Sequence, residues 1–491
     1  MDAVEMHFRK RFHAKINPDL ILRKFSVCGH IPALIVYMSG MADDDRINDF
    51  ILRPLMNAEA FILMNGRVGK LDLSDLAGTI CREALEVGEV KMESEISNAA
   101  DAILDGMTAL FVDGCAEFLI LETHGYETRS VSAAENEKTV LGPKESFTEN
   151  FKVNVSMIRR CIHRSDLVAE TLPLGSNNRL RDALIYRKGF TDDALVNEVK
   201  RRLAGIEANL LLGSGMTEQL IEDRGVLPIP KVLSTERPDR AASHIMNGRA
   251  CLIIEGSPLA LVMPVTLFSL LNSPEDVYMR PPLGSLIRFI RYAGALISVL
   301  LPGYFLSLAL YHQGGLTAEV LSTVIASRKM VFEPIAIEMI LLLLVFLLIR
   351  EAGLRVPGSI GQAIGIIGGL IMGQAAVAAH LASSVVLIIV AAAGLGNFCI
   401  PDYSLQITAS YMRAAVVIAA WLGGLAAITA ALLFTLCHMA DIKSFGVPFL
   451  SPAAPKAFSK RPPVLRGALG GRYADDDLNT RDDTERTGRR A

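Results

Sequence analysis

The sequence predicts an α/β soluble N-terminal region of two subdomains followed by an α-helical polytopic membrane domain. Charge is spread unevenly over the 491 residues: residues 292–440 are about 7% charged, against about 27% elsewhere. Three stretches of that region, 292–318, 356–401 and 414–440, carry no charge at all. By contrast, residues 1–290 alternate short apolar runs with helix-like stretches, the pattern of α/β units.

Composition narrows the class. A mean hydropathy of +0.36 over a chain this long excludes a disordered protein and argues against a purely soluble enzyme. The formal net charge of -3 lacks the concentrated basic face that a nucleic-acid partner requires. The seven cysteines are scattered without a CxxC pair, so neither a disulfide framework nor a zinc site is expected. The N-terminal MDAVEMHFRKRFHAK has basic residues but no following apolar run of signal-peptide length, which places the soluble part in the cytoplasm.

In chain order, Ala33–Tyr37, Phe61–Met64, Leu110–Val112, Phe118–Leu121 and Leu252–Ile254 read as buried strands. Helical periodicity is clearest over Asp193–Leu212, where Leu195, Val199, Leu203 and Ile206 share a face. Residues 1–125 form the first subdomain, a polar linker covers 126–144, and the second subdomain covers 145–290. The membrane domain is 291–440, and the charged tail, 441–491, is expected to be disordered and cytoplasmic.

A membrane span needs about 20 apolar residues. The gaps 292–318 and 414–440 each hold one, and 356–401 fits two with a break near Ala382-Ser383-Ser384. The run Met339–Ile349 is too short to cross unless it extends back through Glu338 and Pro334, or it is a partial helix. Four or five apolar segments result. Arg288 and Arg291 before the first span and a basic balance after Ile442 put both ends inside, so an even number of crossings is favoured.

Two features of this domain are candidates for function. Glu338 lies either within the bilayer, where a carboxylate usually faces a bundle interior or a water path, or at its interface. Gly361, Gly365, Gly369 and Gly373 recur every four residues, with Gln374 beside them, a ridge that lets another helix approach closely. The partner of that ridge is either in the same chain or in a neighbouring copy. No P-loop, G-x-S-x-G, H-E-x-x-H or dinucleotide fingerprint occurs, and no carboxylate pair stands out, so the expectation is no enzyme and no cofactor.

From Gly142 the sequence resembles a known family. Gly142-Pro143-Lys144-Glu145-Ser146-Phe147-Thr148-Glu149-Asn150, followed by Ile158-Arg159-Arg160, resembles the GPxxxFxEN…RR signature of GerA spore germination proteins, the germinant-receptor A subunits. Ser234-Thr235-Glu236-Arg237-Pro238-Asp239, Arg350-Glu351-Ala352-Gly353-Leu354-Arg355, Gly368-Gly369-Leu370-Ile371-Met372-Gly373-Gln374 and Ser444-Phe445-Gly446-Val447-Pro448-Phe449 continue it in family order. The stage V AF type of sporulation protein shares the architecture. The resemblance implies a membrane subunit of a nutrient germinant receptor in the inner membrane of the endospore. It implies work beside a transporter-like B subunit and a lipoprotein C subunit, and homo-oligomerisation into an ion-conducting pore. Arg159, Arg160 and Arg237 are the candidate partner contacts. A non-conducting scaffold is the alternative.

Overall fold

The computed structural model describes residues 1–57, 76–125, 134, 137, 139, 141–174, 180–208, 210–223, 225, 227–355, 369 and 371–455. The expected strand Phe61–Met64 lies outside them, as do Gly361, Gly365 and residues 456–491.

The soluble part is two lobes, each built on a five-stranded sheet. The first sheet comprises β1 (Leu20–Val27), β2 (Ile31–Met38), β3 (Val90–Glu93), β4 (Thr108–Val112) and β5 (Phe118–Leu121), in the order β1-β2-β4-β5-β3. The second comprises β6 (Leu167–Leu174), β7 (Leu180–Arg187), β8 (Leu233–Thr235), β9 (Ala250–Ile254) and β10 (Ala260–Met263), in the order β6-β7-β9-β10-β8. The two orders are the same when each lobe is counted from its own first strand, so one topology is used twice. Every pairing is antiparallel. Antiparallel neighbours need only tight hairpins, and the turns at Gly29, Gly114 and Gly256, all at positive φ, supply them.

The strands read as continuous apolar runs because helices cover both faces of each sheet, and alternate residues serve alternate cores. In the first lobe Ala33 and Ile35 face Ile47, Ile51 and Leu55, while Leu34 and Val36 face Phe8 of α1 (Asp2–Arg11) and Ile103 of α2 (Ile96–Leu104). In the second, Ala183 and Ile185 face α3 (Phe151–Cys161), whereas Leu184 and Tyr186 face α4 (Asp193–Ala204) and α5 (Ser214–Ile221). The expected face of α4 is buried at Leu195, Val199 and Leu203, but the helix stops at Gly205 and Ile206 joins the same core from the loop.

Each block of the GPxxxFxEN…RR motif has a structural duty in this frame. Gly142 has φ 111°, and a β-carbon there would meet the Tyr278 ring at 2.7 Å. Phe147 is buried, and the Asn150 side chain caps α3 by accepting from the Lys152 and Val153 amides. The Pro238 ring opens the helix α6 (Pro238–Met246) at its first position, where no amide hydrogen is needed.

One residue breaks the apolar face beneath α4 and α5. Asp182 on β7 is fully buried, and among the described residues no side chain hydrogen-bonds to either carboxylate oxygen. Desolvation is the main cause that pushes its pKa up to about 7, opposed only by nearby backbone amides. A raised carboxylate pKa in the folded state means stability is fully present below the unfolded value and is lost as pH rises toward 7. The full-length chain carrying Asp182→Leu should therefore melt higher than the wild type at pH 8, by the equivalent of a few kcal/mol (about 1.4 per pKa unit). The two should converge near pH 4, and melting curves at pH 4, 6 and 8 check it.

The helical part follows the second lobe: α7 (Pro281–Leu310), α8 (Ala318–Arg328), α9 (Ile335–Arg355), α10 (Ser384–Phe398) and α11 (Tyr403–Asp441). Among the described residues, α7 and α11 are long and apolar enough to cross a membrane, and α10 is a shorter apolar helix. The break expected near Ala382-Ser383-Ser384 is present, with the Ser383 side chain capping α10. The run Met339–Ile349 does extend back through Glu338: α9 begins one residue after Pro334.

Helix α11 reverses direction in its middle. Gly423 (φ −151°, ψ 20°) and Gly424 (φ 59°, ψ −141°) leave helical geometry. Before them, the Thr408 hydroxyl donates to the Pro228 carbonyl of the second lobe; after them, the Ser444 hydroxyl donates to the Lys231 carbonyl at 2.6 Å. A straight helix would separate these residues by about 50 Å, but the path through Pro228 and Lys231 allows at most about 26 Å. The stretch read from sequence as one span is thus two antiparallel limbs. The chain after it is folded as far as Pro455: Phe449 is fully buried and Phe445 packs beneath α4, so the start of the tail is part of the second lobe.

Candidate functional site

The helical bundle stands on the second lobe, and its joints define the site. At its base, Asp276 is completely buried and receives two arginines of α7: Arg288 Nε at 2.9 Å, and Arg291 at 3.0–3.2 Å through both terminal nitrogens. Arg291 also donates to the Leu271 carbonyl at 3.2 Å. The basic residues at the start of α7 are therefore its mechanical anchor to the lobe. Leu405 and Ala409 of α11, with Met439 and Ile442 of its returning limb, complete the seat by joining the core of the lobe.

Inside the bundle, glycines bring backbones together. A β-carbon on Gly396 of α10 would collide with the Gly294 carbonyl of α7 and lie 3.1 Å from the Ser298 nitrogen. One on Gly303 would lie 2.6 Å from Val416 Cγ1, and one on Gly394 would lie 2.5 Å from the Phe346 ring. These four glycines, none of them in the four-residue ladder, form the small-residue contacts among the described helices.

Contact pairs also set helix directions. Ser298 meets Arg413, and the Tyr311 hydroxyl donates to the Trp421 carbonyl at 2.6 Å, so α7 and the first limb of α11 run parallel away from the lobe. At the lobe end of α9, Arg350 donates to Gln406 at 3.2 Å; at its far end, Glu338 meets Ser383. The end of α9 and the start of α10 therefore lie at opposite ends of the bundle, and α10 runs in the same direction as α9.

Glu338 forms the latch at the far end. It is 1% exposed; its Oε1 accepts from the Ser383 amide at 2.6 Å and the Ser383 hydroxyl at 2.7 Å. Its Oε2 pairs with Arg328 Nε at 3.3 Å, and Arg328 also donates to the Glu333 carbonyl at 2.7 Å. One carboxylate thus ties the end of α8, the first turn of α9 and the cap of α10.

Of the glycine ladder, Gly369 and Gly373 are described. A β-carbon on Gly369 would meet nothing within 4 Å, and one on Gly373 would make only an ordinary 3.5 Å contact with Leu387. Gln374 is exposed. Among the described residues no helix packs closely against Gly369 or Gly373.

The three candidate partner-contact arginines, Arg159, Arg160 and Arg237, are engaged within the chain. Arg159, 3% exposed, clamps the first lobe to the second through Asp19 at 2.5 Å and Asn17 at 2.9 Å. Arg237, 1% exposed, forks onto Asp239 at 3.0 and 2.7 Å and reaches Thr139 at 2.5 Å. Arg160 pairs with Glu145 at 3.0 Å and keeps the most side-chain exposure of the three, 19%. Sequence reasoning missed Asp276 and Arg413. Arg413 had a signal, being the one charge between Asp402 and the long charge-free stretch 414–440; Asp276 had none, because nothing local marks a carboxylate whose partners lie 12 and 15 residues on.

Known proteins bear on this architecture directly. The family model "Bacillus/Clostridium GerA spore germination protein" matches residues 6–469. Spore germination protein A1 of Bacillus subtilis (strain 168) is 33% identical over 438 residues, covering 89% of this chain and 88% of that protein. Spore germination protein GerLA of Bacillus cereus is 32% identical over 443 residues, covering 90% and 88%. Among solved structures, the N-terminal domain of the A subunit of the Bacillus megaterium spore germinant receptor GerK3 covers 52% of this chain and 92% of that one, at 27% identity and a TM-score of 0.40. With the match running from the first lobe, through the bundle and past its final helix, the chain belongs to the GerA family of spore germination proteins.

Proposed function

We propose that this chain is the membrane-embedded A subunit of a nutrient germinant receptor and turns nutrient sensing into germination as an oligomeric ion-conducting pore. Family membership supports the germination role. The observation that carries the pore reading is the open ridge: among the described residues Gly369 faces no close neighbour and Gly373 only an ordinary contact with Leu387, while Gly294, Gly303, Gly394 and Gly396 are closely packed. A close-approach surface left empty in a single chain suits a second copy of it.

In this reading the helix directions give six passes: α7 outward, α9 back, 356–382 outward, α10 back, and the two limbs of α11. Both ends then lie on the lobe side, as the basic flanks require. The lobes sit in the spore core, and the bundle in the inner membrane beside a transporter-like B subunit and a lipoprotein C subunit. An uncharacterised membrane protein of Bacillus subtilis, 30% identical over 437 residues, is consistent with that setting. Opening is a population shift between closed and open packings, driven by a partner that binds one packing better. A scaffold that docks partners without conducting is the second reading, and the burial of Glu338 in a latch is what favours it.

The ridge gives a separable test. Gly369→Leu should leave the melting temperature of the single chain within about 2 °C of wild type, because a β-carbon there meets nothing within 4 Å among the described residues. It should nevertheless abolish cross-linking between differently tagged copies in the membrane. Unchanged cross-linking would remove the ridge from the assembly.

A further inference from the structure

Above the Asp276 joint, two arginines of the bundle, Arg350 and Arg413, are held by neutral groups. Arg413, in the first limb of α11, is 2% exposed. Its acceptors are the Ser298 hydroxyl at 3.3 Å, the Ser410 hydroxyl at 3.4 Å and the Ala393 carbonyl at 3.5 Å, all neutral and all at the long limit of hydrogen bonding. Arg350 of α9 is joined to Arg413 through a shared pair of side chains: Ser298 touches Arg413, and Asn397, 3.3 Å from Ser298, touches Arg350. It donates to Gln406 at 3.2 Å, and once the Asn397 amide is oriented to satisfy its neighbours, to the Asn397 oxygen at 3.3 Å. Among the described residues no carboxylate pairs with either arginine. Buried charges are ordinarily paired, because an uncompensated ion away from water is costly.

Arg350 is half-buried and Arg413 is buried, so of the two Arg350 is the one that solvent still reaches. Arg413 touches the Ser298 and Ser410 hydroxyls, Arg350 touches the Asn397 amide, and Ser298 and Asn397 touch each other at 3.3 Å, so two planar donors share one set of neutral neighbours, an arrangement that suits an oxyanion with several acceptor oxygens.

We propose that Arg350 and Arg413 together bind one phosphate group at the lobe-side end of the bundle, supplied by a phospholipid headgroup or by free phosphate. The site ties α7, α9, α10 and α11 together through a ligand, so occupancy stabilises the bundle.

The test uses the full chain purified in a neutral detergent free of lipid. Melting is followed in sodium chloride and in sodium phosphate at matched ionic strength, then with phosphatidylglycerol added to the chloride sample. A rise of about 2–4 °C at tenfold saturation, with phosphate but not chloride, and lost in Arg413→Gln, supports the site with a free-phosphate source. A rise with the lipid alone, also lost in the variant, supports it with the headgroup as source. Arg350→Gln, at the half-buried arginine, should weaken the same response and covers the case in which Arg413→Gln fails to fold. No phosphate- or lipid-specific rise in the wild type, or one of equal size in a folded variant, overturns the proposal.

Discussion

Replacing Gly396 by leucine is expected to force α7 and α10 apart and to cost about 3 kcal/mol, the upper end of what overpacking a close contact costs. The obstruction is backbone, the Gly294 carbonyl and the Ser298 nitrogen, and no rotamer of a neighbour can relieve it. The displacement would also pull Ser298 away from Arg413, so the polar cluster loosens with the packing. A fall in the melting temperature of the purified chain, together with faster proteolysis between the helices, is the expected reading. Gly369→Leu is the control, since it introduces the same side chain on an open ridge.

Asp276→Ala should be comparably severe, about 3–5 kcal/mol, because it strands two arginines at a buried joint. Asp276 is fully buried, and Arg291 forks onto it while Arg288 adds a third strong contact. Arg288→Ala alone should cost much less, since the Arg291 pair stays intact. Limited proteolysis over residues 272–280 separates a local failure of the joint from global unfolding. Early cleavage there, with the second lobe still protected, is expected. A variant as stable and as protected as wild type would mean that the lobe and bundle are held by α11 rather than by this ion pair.

Much of this architecture was legible in the chain. Charge density divided the two α/β lobes from the helical part, because the long apolar helices of the latter leave visible gaps in charge. Phe118–Leu121 and Leu252–Ile254 read as buried strands because helices cover both faces of each sheet. Strand order and direction were not legible: alternating strands and helices fit parallel and antiparallel sheets alike, and short hairpins decided the matter. The reversal at Gly423-Gly424 was also hidden, since two antiparallel limbs without a charged turn read as one long apolar run. At the site, Glu338 was singled out by its cost, and its burial follows from Ser383 and Arg328, which lie 45 residues ahead and 10 behind. The ladder glycines were visible by register, whereas Gly294, Gly303, Gly394 and Gly396 follow no period that a single helix would announce. Arg159 and Arg237 stand in family motifs, and their partners Asp19 and Thr139 show that a recognisable motif residue can serve a lobe interface.

The central claim is that this chain conducts ions, and potassium release from liposomes carrying the purified oligomer tests it most directly. The account predicts release that changes several-fold in Glu338→Gln, because neutralising that carboxylate removes the charge pairing that holds Arg328 and weakens the hold on the Ser383 cap of α10. A well-assembled oligomer that releases no potassium, even with the transporter-like and lipoprotein subunits added, would contradict it and leave the scaffold reading standing.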